Sequence, residues 1–126
     1  MSRRTFALWA PVVVYMAAIF YASSLPTPPI PQGTDKQFHL LAYFAFGVVV
    51  LRAVAGGLPR RIAFRTALIG FAIATAYAAS DEFHQSFVPG RSADPYDLLA
   101  DAIGIALGIV ACFAWGIISS SSRDEL

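Results

Sequence analysis

The chain has 126 residues, of which 57% are apolar and only 13% are charged, whereas a soluble domain is about 25% charged. The net charge is only +1, and no basic groove with stacking aromatic residues can be traced, which argues against nucleic acid as a partner. The single cysteine, Cys112, excludes a disulfide framework within the chain.

Four apolar stretches approach the length of a membrane-spanning helix. They cover residues 6–22, 38–54, 62–79 and 98–118, and a helix needs about 20 residues to cross about 30 Å of hydrocarbon. We predict an all-α membrane protein, a four-transmembrane-helix bundle, in which residues 1–126 form one domain. The predicted helices are about 5–24, 35–55, 60–86 and 95–118.

The first predicted helix follows two arginines and contains Pro11, which should kink it. The basic start and the small residues Ala22 and Ser24 also fit a cleaved signal peptide. The apolar run is longer than a usual signal core, so we expect the helix to be retained. Residues 26–33 hold four prolines and no charge, and we expect an extended, polyproline-like segment along the outer interface.

The boundaries of the later helices carry clearer signals. Thr34-x-x-Gln37 has the form of a capping box at the start of the second helix, and Gly56 should end that helix. The fourth helix should begin at Asp94 as N-cap, with Pro95 in its first turn.

Charged residues alternate between the two ends of the predicted bundle. One end holds Arg3, Arg4, Arg52, Arg60, Arg61, Arg65 and Arg123. The other end holds Asp35, Lys36, Asp81, Glu82, Arg91, Asp94, Asp97 and Asp101. Because the cytoplasmic loops of membrane proteins carry an excess of Lys and Arg, we expect the arginine end and both termini to be cytoplasmic. The acidic end should then face the extracytoplasmic side.

Polar side chains of three helices fall on shared helical faces at the acidic end. Asp35, His39 and Tyr43 follow each other at four-residue spacing on the second helix, with Lys36 beside them. The simplest packing points these stripes at each other. The candidate ligand-binding residues are Asp35, Lys36, His39, Tyr43, Asp81, Glu82, His84, Gln85, Arg91, Asp97 and Asp101.

Acidic side chains within a membrane helix need a partner, because an acid at mid-membrane costs about 2.5–3.5 kcal/mol. The side chains that could supply a positive charge to these acids are Arg91, Lys36, His39 and His84. A divalent metal ion is the alternative. Glu82, Asp97 and Asp101 are the candidate metal ligands, for Mg²⁺ or Ca²⁺ through oxygen. Glu82 and His39 are the candidate catalytic bases. Each group also has a structural interpretation, such as an N-cap or a salt bridge that closes the bundle.

Small residues continue the fourth helix's polar stripe inward. Gly104-x-x-x-Gly108 is a pattern that lets two helices approach closely. It packs either against another helix of the same bundle or against a second copy of the chain in a homo-oligomer.

Three ordered motifs resemble the VanZ-like family of small bacterial membrane proteins. They are Asp35-Lys36-x-x-His39, Glu82-x-x-Gln85-x-Phe87-x-Pro89-Gly90-Arg91, and Asp94-x-x-Asp97-x-x-x-Asp101-x-x-Gly104-x-x-x-Gly108. The resemblance implies a multi-pass protein of the bacterial inner membrane, in a family whose founding member gives resistance to the glycopeptide teicoplanin. The family pattern often has Asn where this chain has Asp101, and the added charge favours a metal or proton-linked site.

Three functions fit these features. The first is binding or modification of an anionic envelope lipid or a lipid-linked cell-wall precursor, with Arg91 and Lys36 holding phosphate. The second is a membrane-embedded, metal-assisted hydrolase or transferase, for which no nucleophile motif is present. The third is a structural or accessory subunit whose polar residues only lock the helix bundle.

Overall fold

The computed structural model describes residues 1–27 and 30–125, and within them the chain forms four helices and no strand. The helices are α1 (Arg3–Ser24), α2 (Asp35–Ala55), α3 (Phe64–Gln85) and α4 (Pro95–Asp124). This confirms the all-α prediction, and the predicted bounds of α2 agree with the observed ones. The predicted bounds of α3 and α4 need correction, since α3 begins at Phe64 rather than 60 and α4 continues past 118.

The extension of α4 is explained by its terminal serines. The hydroxyls of Ser120, Ser121 and Ser122 each donate to the carbonyl four residues earlier, at 2.8, 3.1 and 3.0 Å. These bonds satisfy the hydroxyls inside the helix, so the polar run does not end it.

Three of the four helices, α1, α2 and α4, are long and apolar enough to cross a membrane. These three helices are compatible with a membrane protein. The helix α3 falls short by composition, because Arg65 lies near its start and Asp81 and Glu82 lie near its end.

Helices α2 and α4 approach each other closely at the glycine stripe formed by Gly104 and Gly108. A Cβ atom on Gly104 would collide with the backbone carbonyl of Leu40, and one on Gly108 would collide with that of Phe44. Both glycines are buried. The stripe therefore packs against α2 within the bundle.

The helix caps agree with the sequence at two of three positions. Asp94 caps α4 by accepting from the Tyr96 backbone N–H at 2.9 Å, and Gly56 ends α2 with φ of 77°. The predicted capping box is wrong, since Thr34 makes no side-chain cap bond. Its hydroxyl instead donates to the Pro31 carbonyl at 2.5 Å.

Prolines of the first third of the chain were expected to bend or extend it. The helix α1 continues through Pro11. Of the segment predicted to be polyproline-like, Pro28 and Pro29 lie outside the described residues.

Arginine side chains gather at one end of the bundle. Arg4 Nη2 donates to the Gly56 carbonyl at 2.9 Å, and Arg52 Nη1 donates to the Ala7 carbonyl at 3.3 Å. These bonds join the start of α1 to the end of α2. The acidic side chains of the N-terminal half of α2 and the C-terminal half of α3 lie at the other end.

Candidate functional site

The polar stripes of α2, α3 and α4 meet at the acidic end, as the sequence predicts. His39 Nδ1 of α2 lies 2.7 Å from Asp101 Oδ1 of α4. The Tyr43 hydroxyl of α2 donates to Asp81 Oδ2 of α3 at 2.9 Å. We call the assembled residues the polar cluster, which comprises Asp35, Lys36, His39, Tyr43, Asp81, Glu82, Asp94, Asp97 and Asp101.

Four acids of the polar cluster are almost completely buried. They are Asp81, Glu82, Asp97 and Asp101. Each acid has some polar contact, but three carboxylate oxygens have no hydrogen-bond partner among residues 1–27 and 30–125: Asp81 Oδ1, Glu82 Oε1 and Asp101 Oδ2. A buried charged oxygen without a partner is costly, so this arrangement needs an explanation beyond packing.

Lys36 lies on the exposed side of the polar cluster. Its ammonium donates to Asp94 Oδ2 at 2.8 Å and also to Asp97 Oδ1. The hydrogen bond from Lys36, followed by that from the Tyr96 backbone N–H, lowers the pKa of Asp94. Lys36 thereby joins α2 to α4, and its charge is already compensated by two carboxylates.

Glu82 connects α3 to the start of α4. Its Oε2 accepts from the backbone N–H of Asp94 at 3.0 Å. The carboxylate thus fixes the N-cap residue of α4, while Oε1 remains without a partner in the described part of the chain.

His39 lies between two sets of carboxylates. Its Nε2 is 3.9 Å from both Asp35 Oδ1 and Asp97 Oδ2. On the other side, His39, Glu82 and Asp101 each offer a ligand atom, and the three atoms lie within 4.8 Å of one another. Of the three metal ligands proposed from the sequence, Glu82 and Asp101 share one set with His39, and Asp97 shares a second set with His39 and Asp35.

Two adjoining cavities flank the polar cluster. The inner cavity, of about 160 Å³, lies among α1, α2 and α3, and the outer cavity, of about 330 Å³, lies under the α1–α2 linker. Apolar side chains such as Ile19 and Phe38 form much of the inner wall, and His39, Tyr43 and Asp81 form its polar side. The residues common to both cavities are Ile30, Asp35, Gln85 and Arg91.

Arg91 stands at the junction of the two cavities. Its Nη2 donates to the Ala22 carbonyl at 3.3 Å, and its buried Nε has no partner among the residues described. No carboxylate in the described ranges pairs with it. Its positive charge is therefore available to a ligand.

His84 and Gln85 face α1 rather than the acids. His84 Nε2 lies 3.0 Å from Ser24 Oγ, and its ring stacks on Phe20 with centroids 4.3 Å apart. Gln85 Nε2 donates to the buried Ser23 hydroxyl at 3.2 Å. The structure thus separates His84 from the polar cluster, while Gln85 still lines both cavities.

The predicted ligand-binding residues include none from α1 and none from the apolar wall of the inner cavity. Ser23, Ile19, Phe38 and Ala42 all line the inner cavity. The serine before the proline-rich segment was the one available signal. The apolar wall residues carry no such signal, because α1 is apolar on every face.

The chain is thus a small all-helical protein that has three helices able to span a membrane and a group of buried acids at one end. The chain belongs to the VanZ/LLP1 family, whose sequence model matches residues 6–117. The match includes the whole polar cluster and Arg91. No curated protein and no solved structure matches the chain.

Replacing Tyr43 with phenylalanine is expected to lower the free energy of unfolding by about 1–3 kcal/mol. The change removes the only described side-chain donor to Asp81, whose other oxygen is already without a partner. The loss can be measured by thermal unfolding in detergent. Tyr96→Phe is the control, because Tyr96 is 70% exposed and should change stability by less than about 0.5 kcal/mol. Equal stability of the two variants would contradict the prediction.

Proposed function

We propose that the protein binds a phosphate-bearing lipid of the cell envelope at the two cavities, with Arg91 as the phosphate ligand. The observation that carries the proposal is the position of Arg91, which lines both cavities and has no carboxylate partner in the described ranges. A guanidinium binds phosphate through two parallel hydrogen bonds, which makes arginine well suited to this ligand.

The shape of the inner cavity supports an amphiphilic ligand. Ile19, Phe38 and Ala42 provide an apolar wall, and Arg91 and Gln85 lie where the inner cavity meets the outer one. An apolar chain would lie against that wall, with its phosphate at Arg91 where the two cavities meet. Lys36 was proposed from the sequence as a second phosphate ligand, but its two carboxylate partners make it the weaker candidate.

The proposal includes a membrane orientation. All four helices cross the bacterial inner membrane, both termini are cytoplasmic, and the cavities face the extracytoplasmic side. The gathering of arginines at the opposite end supports this, since retained ends carry the Lys and Arg excess. The buried acids of α3 support it too, because intramembrane acids face the bundle interior.

An outward site would meet phospholipid headgroups, polyprenyl phosphates and lipid-linked cell-wall precursors. Glycopeptide drugs act on this face of the membrane. We therefore include a role in teicoplanin resistance in the proposal, through binding or modification of a lipid at this face.

Replacing Arg91 with glutamine is expected to weaken phosphate-lipid binding at least about tenfold, because a hydrogen bond to a charged group contributes about 1.5–3 kcal/mol. The protein in detergent is titrated with phosphatidylglycerol and, separately, with a polyprenyl phosphate. Native mass spectrometry then measures how much of each lipid the protein retains, which distinguishes the two sources of phosphate.

Arg61→Gln is the matched control, since it makes the same charge change in an exposed residue outside the cavities. It should bind both lipids as the wild type does. The lipid proposal fails if Arg91→Gln binds as tightly as Arg61→Gln.

The second candidate function is a structural subunit, favoured by the bonds with which Lys36 and Tyr43 join α2 to α4 and α3. It predicts that Arg91→Gln lowers thermal stability, while neither the wild type nor the variant retains a phosphate lipid.

A further inference from the structure

Three helices bring together three side chains that carry metal-binding groups. His39 comes from α2, Glu82 from α3 and Asp101 from α4, with one ligand atom of each inside a common span of 4.8 Å. Three ligand atoms that share one metal ion in tetrahedral geometry lie about 3.3–3.6 Å apart, because metal–ligand distances are about 2.0–2.2 Å. The three side chains would therefore draw together by up to about 1.5 Å to bind an ion.

Two oxygens of this set are buried without a partner. Glu82 is 6% exposed and Asp101 is 0% exposed, and neither Glu82 Oε1 nor Asp101 Oδ2 accepts a hydrogen bond from the described residues. Buried carboxylate oxygens are normally satisfied by donors or by a cation. Because both carboxyl groups belong to the same three-residue set as His39, a single cation held by that set would lie beside both.

The charges around the set point the same way. Lys36 is engaged by Asp94 and Asp97, and Arg91 donates to the Ala22 carbonyl. Within residues 1–27 and 30–125, Asp101 pairs with the His39 ring, and no cationic side chain pairs with Glu82. Even a protonated imidazole leaves one negative charge uncompensated, and a divalent ion would balance both carboxylates.

We propose that His39, Glu82 and Asp101 form a binding site for a divalent transition metal such as Zn²⁺ or Mn²⁺. The imidazole ligand suits Zn²⁺ and the two carboxylates suit Mn²⁺, whereas Mg²⁺ and Ca²⁺ prefer oxygen ligands alone. The carboxylates by themselves had suggested Mg²⁺ or Ca²⁺, and the proximity of His39 changes that expectation. The site does not require bound lipid, so it can be tested separately from the proposed function.

The test is metal analysis of the full-length protein in detergent. Wild-type protein is stripped with a chelator, dialysed against Zn²⁺ or Mn²⁺, washed and measured by plasma mass spectrometry and by isothermal titration. One metal ion per chain is expected, together with a rise in thermal stability that the chelator reverses. Asp101→Asn and Glu82→Gln should each weaken metal binding at least about tenfold.

The control is Asp124→Asn, which makes the same carboxylate-to-amide change at an exposed residue at the far end of α4. It should bind the metal as the wild type does. A wild-type protein that takes up no metal overturns the proposal, even if the two site variants fail to fold. A loss in Asp124→Asn equal to that in Glu82→Gln also overturns it, because the loss would then not depend on the proposed ligands.

Discussion

Gly104→Ala is expected to lower the free energy of unfolding by about 3 kcal/mol, the upper end of the range for an overpacked core. A methyl group at this position would collide with the backbone carbonyl of Leu40. A flexible side chain could turn away, but a carbonyl fixed within α2 can yield only if the whole helix moves. Chemical denaturation in mixed detergent micelles measures the difference.

Gly70→Ala is the matched control on α3. The atom nearest to its added methyl group would be Leu51 Cδ1, at 3.2 Å, which is the end of a flexible side chain. Alanine is also the better helix former by about 1 kcal/mol, so the net change should stay below about 1 kcal/mol. If Gly104→Ala is no less stable than Gly70→Ala, the close approach of α2 and α4 is wrong.

Gly104→Ala should also disturb the polar cluster. Asp101 lies one turn before Gly104 on α4, and its partner His39 directly precedes Leu40 on α2. Pushing α2 away from α4 would lengthen the 2.7 Å contact between His39 and Asp101. We therefore expect folded Gly104→Ala protein to bind metal more weakly than folded Gly70→Ala protein.

Local patterns in the sequence predicted the polar cluster because its members follow helical spacing. His39 stands four residues from Tyr43, and Asp97 four residues from Asp101, so each pair shares a helix face whatever the tertiary fold. Polar groups within a membrane helix avoid lipid, so the polar faces of the three helices are expected to pack against each other. Helical spacing and the avoidance of lipid together predicted that the stripes converge.

The cavities could not be predicted in this way. Their walls include α1, whose apolar residues surround the whole helix and therefore mark no preferred face. The capping box predicted at Thr34 was wrong for a similar reason. The hydroxyl of Thr34 donates to the Pro31 carbonyl instead, and the position of that carbonyl depends on how the linker folds. The position of Arg91 at the junction of the two cavities also depends on its loop rather than on helical spacing.

His39→Leu is expected to destabilise the metal-free protein by about 3–5 kcal/mol, the cost of leaving a buried charge without its partner. Asp101 is fully buried, and one of its oxygens already has no described partner. Removing His39 would leave the other oxygen, Oδ1, without its 2.7 Å contact. Thermal and chemical unfolding in the presence of a chelator measure the loss.

The double variant His39→Leu/Asp101→Leu should regain most of that stability, because apolar replacement of a whole buried pair is often neutral or stabilising. The two single variants and the double variant form a cycle that isolates the coupling between the residues. A double variant as unstable as His39→Leu alone would show that the single loss came from packing rather than from charge.

A folded double variant also separates a structural from a functional role for the pair. If His39 and Asp101 only lock α2 to α4, a stable apolar pair should serve equally well, and cells carrying it should behave as wild type. If they hold a metal ion, the double variant should fold, bind no metal and fail to complement a deletion strain. Because stability is matched, a loss of complementation could not be attributed to unfolding, and the buried charges would then be retained for their chemistry.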